Sequence, residues 1–198
     1  FIIILLSFLI VSPYMLRNYI TFNQIVLVKS FGYNLWKGNN EFSSIEGHAS
    51  IDEESFEQLR YELETLKKDK FYELKRDNVF LKEAKKNLNY DPVNYFNLFF
   101  KKMFAFFFVN LKSAYPNYYD FFHFIPSIII STLSFPGLIL IIKKKEFKFQ
   151  YLSLYLFTTM AIFSVFFILP RYKLTILPIQ IILAFYFLVY VLNRIKKN

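Results

Sequence analysis

The stretch FFHFIPSIIISTLSFPGLILII, residues 121–142, decides how the rest of the chain is read. It is apolar throughout apart from His123 and a few hydroxyl side chains, and it exceeds the roughly 20 helical residues needed to cross a hydrocarbon core of about 30 Å. Unpaired backbone groups find no water in lipid, so such a segment must be helical. Two comparable stretches follow at 149–169 and 174–192, and the chain opens on another, FIIILLSFLIV. Four spans are therefore expected. The first is read as a truncated helix over 1–16, because the chain begins at Phe1 inside an apolar run, which suggests the C-terminal part of a longer protein.

Composition agrees. Among 198 residues, 55% are apolar and 22% aromatic, well outside ordinary globular usage. With no cysteine, a disulfide framework and a thiolate metal site are excluded. The net charge of +9 does not indicate nucleic acid, since the cations flank apolar runs and are not interleaved with aromatics on one polar face. The fold class is all-α: polytopic membrane helices with an external helical insert and an interfacial amphipathic helix.

Orientation follows from the short connections. The link KKKEFKFQ carries Lys143, Lys144, Lys145 and Lys148, and the tail NRIKKN adds Arg194, Lys196 and Lys197. Cytoplasmic loops are rich in lysine and arginine, so both are placed inside. Residues 17–120 then form an external loop, the turn PRYK at 170–173 is external too, and 121–198 supply three spans with a cytoplasmic tail.

Within the external segment, SIDEESFEQLRYELETLKK places Ser50 three residues before Glu53, a capping box, and spaces Phe56, Leu59, Leu63 and Leu66 as on a helix. The acidic run Asp52, Glu53 and Glu54 suits the positive end of that helix. A weaker helical pattern passes through Leu74, Leu81, Ala84 and Leu88. Then NYDP marks a stop and a restart, with Asp91 as cap and Pro92 in the first turn. In VNYFNLFFKKMFAFFFVNLK, residues 93–112, Asn94, Asn97 and Lys101 fall at i, i+3 and i+7 among phenylalanines. This reads as a helix in the membrane interface with its lysines toward headgroups, a buried helix or tilted span being the alternative.

Two groups of residues invite chemistry. Arg17 and Asn18, beyond Pro13 near the end of the first span, put a permanent cation and an amide at the membrane surface. Arginine's planar fork suits phosphate. The loop GYNLWKGNN, residues 32–40, adds Tyr33, Asn34, Trp36, Asn39 and Asn40. Flat faces and amides together suit hydroxylated ligands such as sugars, while a turn-rich loop with interfacial aromatics accounts for the same composition. Its glycines, Gly32 and Gly38, are expected to serve backbone conformations closed to other residues. At the far end, Arg171, Tyr172 and Lys173 sit between two antiparallel spans at headgroup level, placed to grip a lipid-linked phosphate. Pro178 is expected to kink the last span. His48 and His123 lack partners at metal-ligand spacing, so no metal site is assigned.

The order P-x-x-x-R-N-Y-x-x-F followed by G-Y-N-L-W-x-G-N-N, carried by Arg17, Asn18, Tyr19, Phe22, Gly32, Tyr33, Asn34, Leu35, Trp36, Gly38, Asn39 and Asn40, resembles a segment of the bacterial C-type (GT-C) membrane glycosyltransferases. That family includes dolichyl-phosphate-mannose protein mannosyltransferases and the lipid A aminoarabinose transferase. The charged helices leading into DPVNYFNLFFKKMFAFF are similar to the family's external helix that precedes an interfacial helix with a basic residue, and RYKLTILPIQIILAF resembles the entry of its last span. The resemblance implies transfer of a sugar from a polyprenyl-phosphate carrier to an envelope acceptor at the external face of a bacterial inner membrane. It implies lipid-phosphate binding by Arg17, Arg171, Tyr172 and Lys173, and substrate binding by Asn18, Tyr33, Asn34, Trp36, Asn39 and Asn40. The family's acidic base lies in a first external loop that has no counterpart here, so no catalytic residue is assigned and the chain alone is expected to be inactive. A divalent cation is left open, as is the oligomeric state. The alternatives are an O-antigen polymerase or ligase, or a non-catalytic membrane accessory protein.

Overall fold

The computed structural model describes residues 2–26, 29–144 and 147–196, with Ile4, Phe147 and Lys148 described in backbone only. Of the basic residues used for orientation, Lys145 and Lys197 lie outside the described residues. The chain is helical, with no strand among the described residues: α1 (Ile2–Phe22), α2 (Phe31–Gly38), α3 (Glu57–Glu64), α4 (Tyr72–Tyr90), α5 (Pro92–Phe107), α6 (Phe121–Lys144), α7 (Phe147–Val165) and α8 (Leu177–Ile195). Short 3-10 helices occupy Glu54–Phe56 and Pro170–Thr175. Contacts divide these elements into two compact units, one comprising the chain up to Trp36 with Ala49–Tyr90, the other Lys37–His48 with everything from Asp91 onward.

In the first unit, α1 does not stop at the membrane-surface residues. It runs through Pro13, Arg17 and Asn18 and ends at Asn23, whose φ of 53° and N–H bond to Tyr19 O (2.7 Å) make a left-handed C-terminal cap. The capping box does not form: Ser50 Oγ is engaged with Asp52, donating to Oδ2 (2.9 Å) and accepting from the Asp52 N–H (3.1 Å). The first turn is consequently 3-10, and α3 begins only at Glu57. The pattern through Leu74 and Ala84 does produce a helix, α4, which buries Leu74, Asp77, Phe80 and Ala84 along one face.

In the second unit, Asp91 caps α5 as its spacing requires, accepting the Asn94 N–H at 3.0 Å with Pro92 in the first turn. The helix ends at Phe107, short of residue 112. Its buried face carries Tyr95, Leu98, Lys102, Ala105 and Phe106, so Lys102 points inward and only Lys101 is exposed. Both lysines were expected to face headgroups. They are adjacent in sequence, and one helical step of about 100° puts them on different faces.

α6 and α8 are long and apolar enough to cross a membrane, and the described part of α7 is apolar but shorter. α6 and α8 run parallel. Gly137 of α6 lies against Leu183 of α8, and one register later the Lys144 ammonium lies 4.4 Å from the Tyr190 ring. This alignment collects Lys143, Lys144 and Arg194 at one end of the pair. A Cβ at Gly137 would sit 2.1 Å from Leu183 O, so the close approach depends on glycine. Pro178 does not kink α8: it stands in the first turn, where its missing N–H costs nothing. The PRYK turn is the opening of the six-residue 3-10 helix Pro170–Thr175. Phe106, Phe107, Leu138, Ile141, Leu156 and Ile176 belong to the core that α5 to α8 share.

Candidate functional site

Residues 32–40 are not a loop but mostly helix, and the structure explains each of their unusual residues. In the first unit, the Asp77 carboxylate, 5% exposed, accepts the Tyr33 N–H at 2.9 Å, which satisfies one of the free donors at the start of α2 and places an anion at the positive end of its dipole. A Cβ on Gly32 would lie 2.1 Å from Asp77 O; glycine here serves close approach and not an unusual backbone angle. Trp36 is fully buried, with ring centroids of Phe80 at 5.0 Å, Phe56 at 5.3 Å and Tyr33 at 6.2 Å. Its indole N–H has no hydrogen-bond partner among the described residues, so its role as placed is apolar packing. Asn34 is half-buried and donates to Ser30 Oγ at 3.3 Å. Asn18 is buried and donates to Val26 O at 2.7 Å, tying the end of α1 to the chain that leaves it. Arg17 is exposed and makes no hydrogen bond or ion pair among the described residues.

In the second unit the remaining asparagines build a turn. Asn40 donates to His48 O (2.9 Å) and accepts from the Phe42 N–H (3.0 Å), and Asn39 donates to Val165 O (2.8 Å). Gly38 is again a close approach, since a Cβ there would lie 1.9 Å from Phe166 O.

Buried helix ends account for Lys102, Lys173 and Gln180. The last carbonyls of a helix have no partner within it and carry its negative partial charge, so cationic or amide donors belong there. Lys102, with no exposed surface, donates to Gly38 O at the end of α2 (2.8 Å), to Phe166 O just beyond α7 (2.6 Å) and to Asn39 Oδ1 (3.1 Å). Lys173 donates to Phe108 O just beyond α5 and to Ser131 Oγ (2.8 Å), while Gln180 donates to Phe107 O (2.7 Å). Removal from water pulls both ammonium groups below the usual lysine value, Lys102 to about 7 and Lys173 to about 8.

Arg171 differs. It is exposed, lies 5.6 Å from the ring of Tyr172 and makes no hydrogen bond or ion pair among the described residues, which leaves its donors available. Tyr172 is half-buried against Phe163, at 4.8 Å between centroids.

The described residues of this unit enclose an apolar cleft and a smaller niche. An apolar cleft of about 860 Å³ is lined by Phe104 and Phe108, Phe135 of α6 and Phe157 of α7, with exposed Lys101 and Lys112 among its walls. A niche of about 20 Å³, large enough for one water, is bordered by Lys173, Glu46, Tyr118 and His123. Glu46 is held there by Asn110 Nδ2 (2.9 Å) and the Ala114 N–H (3.0 Å).

The structure thus brings Arg171, Tyr172 and Lys173 together on one short element, with Lys173 turned to helix capping. Of the six residues expected to bind substrate, Asn18, Trp36, Asn39 and Asn40 are buried, and Tyr33 and Asn34 keep exposed surface. Lys102 and Gln180 were not anticipated. For Lys102 a signal existed: Tyr95, Leu98, Ala105 and Phe106 flank it at heptad-like spacing. For Gln180 there was none, because the carbonyl it serves lies far away in sequence. Among the described residues no group of three or more histidine or carboxylate side chains could hold a metal ion. Comparison with protein-family models, curated proteins and solved structures found no match.

Proposed function

We propose that the chain belongs to an integral membrane glycosyltransferase that moves a sugar from a polyprenyl-phosphate carrier to an envelope acceptor at the external face. The observation that carries this reading is the apolar cleft beside α5, α6 and α7. Its phenylalanine walls suit an isoprenoid chain, and Lys101 and Lys112 suit an anionic head. The exposed guanidinium of Arg171, which makes no hydrogen bond or ion pair among the described residues, is assigned to the carrier phosphate, where charge develops as the sugar departs. The parallel α6 and α8, with their basic ends together, support a cytoplasmic placement of those ends.

The test is photocrosslinking of the chain in nanodiscs with a diazirine-bearing polyprenyl phosphate. Labelling is expected along the cleft, at Phe104 and Phe157, and several-fold weaker in Arg171→Ala, whose thermal unfolding should match wild type because the side chain is exposed. Equal labelling by the corresponding neutral polyprenol would refute the phosphate role.

A further inference from the structure

In the first unit, every described side chain of α1 from Ile2 to Ile10 is exposed, and all are apolar except Ser7. Ser7 and Ser12 return their hydroxyls to the helix, donating to Ile3 O (2.8 Å) and Leu9 O (3.1 Å), which is how such groups are satisfied in lipid. The first charged side chain is Arg17, exposed and without a hydrogen bond or ion pair among the described residues. Beyond it, the Phe22 ring packs edge-on against Phe71 at 6.4 Å between centroids, which sets the turn between α3 and α4, residues 65–71, beside the end of α1. This turn presents three exposed lysines, Lys67, Lys68 and Lys70. Its one carboxylate, Asp69, is spent internally, accepting from Lys75 Nζ (2.7 Å) and from the Phe71 N–H (2.9 Å). Of the flanking carboxylates, Glu62 lies 3.4 Å from Lys82 and Glu73 3.8 Å from Arg76, which leaves Glu64 against four cations.

We propose that residues 65–71, pinned to the end of α1, form a docking surface for anionic phospholipid headgroups, with Lys67, Lys68, Lys70 and Arg17 facing the phosphates. In this placement Arg17 marks the edge of the hydrocarbon, and Phe22 stands about 7.5 Å further along the helix axis. A headgroup layer is roughly 5–8 Å deep, so the turn held against Phe22 lies among the headgroups. Charge complementarity selects the occupant: each lysine or arginine near an anionic leaflet strengthens association by about fivefold, and a zwitterionic leaflet offers no such gain. The surface anchors the first unit and does not depend on the transfer reaction proposed above.

The test is lysine acetylation, read residue by residue by mass spectrometry, of the full chain in nanodiscs of phosphatidylcholine alone or mixed with phosphatidylglycerol. The potential of an anionic leaflet holds protons at its surface. Lys67, Lys68 and Lys70 should therefore react roughly three- to sevenfold more slowly with phosphatidylglycerol present, and about 1 M salt should remove most of the difference. Lys85, exposed roughly 20 Å along α4 from Tyr72, should react equally in both. Inorganic phosphate added to phosphatidylcholine nanodiscs should protect none of them. Phe71→Ala, which removes the contact with Phe22 and keeps every charge, should lose the slowing while its circular dichroism stays that of wild type. If that variant unfolds, the exposed triple change Lys67→Gln, Lys68→Gln and Lys70→Gln decides: native mass spectrometry should find bound phosphatidylglycerol enriched on wild type and severalfold less so on the variant. Equal reactivity of the three lysines in both lipids, protection by inorganic phosphate alone, slowing that extends to Lys85, slowing retained in a folded Phe71→Ala, or equal lipid retention by the triple variant overturns the proposal.

Discussion

Trp36 is the only tryptophan in the chain, so its emission reports one site without ambiguity. The structure buries it completely among Tyr33, Phe56 and Phe80. Truncation to alanine removes a large aromatic side chain from a closed aromatic cluster and leaves a cavity, and such changes cost about 3–5 kcal/mol. Because the indole N–H is unbonded, Trp36→Phe sacrifices no hydrogen bond and should cost clearly less than the alanine change. A tryptophan serving as a sugar platform or an interfacial anchor would behave differently, with truncation hardly touching stability. The assay has two arms. Wild-type emission should be blue-shifted and shielded both from aqueous acrylamide and from brominated lipid, and the alanine variant should unfold at markedly lower denaturant, followed by circular dichroism. Ready quenching by either agent, together with a cost for Trp36→Ala below about 1 kcal/mol, would show that the packing argument is wrong.

Gly137→Ala should force α6 and α8 apart at Leu183, costing about 1–3 kcal/mol or more, measured by thermal unfolding in detergent; a neutral outcome would mean that the two helices are not in this register. Asp91→Ala should cost about 1 kcal/mol through loss of the Asn94 cap, with earlier hydrogen exchange confined to the first turn of α5.

Local rules recovered what local rules can. Asp91 and Pro92 announce the start of α5 because cap and first turn are adjacent in the chain. Ser50 misled, because its hydroxyl had two local options and the Asp52 turn was taken in place of the capping box. Arg17 and Asn18 misled in another way: polar residues suggested the end of α1, yet a helix needs a stop at its backbone, and that stop is Asn23.

Residues 32–40 mark the limit most clearly. Glycine, asparagine and tryptophan crowded together look like a ligand loop, since composition cannot distinguish a glycine that frees a backbone angle from one that admits a neighbour. The neighbours that decide it, Asp77 and Phe166, are distant in sequence. By itself the order of residues determined an all-helical chain with long apolar stretches and a capped α5, because propensity, apolar length and capping act over a few residues. Only the tertiary structure decided that Lys102 and Lys173 serve helix ends, that Trp36 is core and that Arg171 stays exposed. Those outcomes depend on which carbonyls become stranded away from water and which side chains meet in the core, and both are known only once the helices have packed.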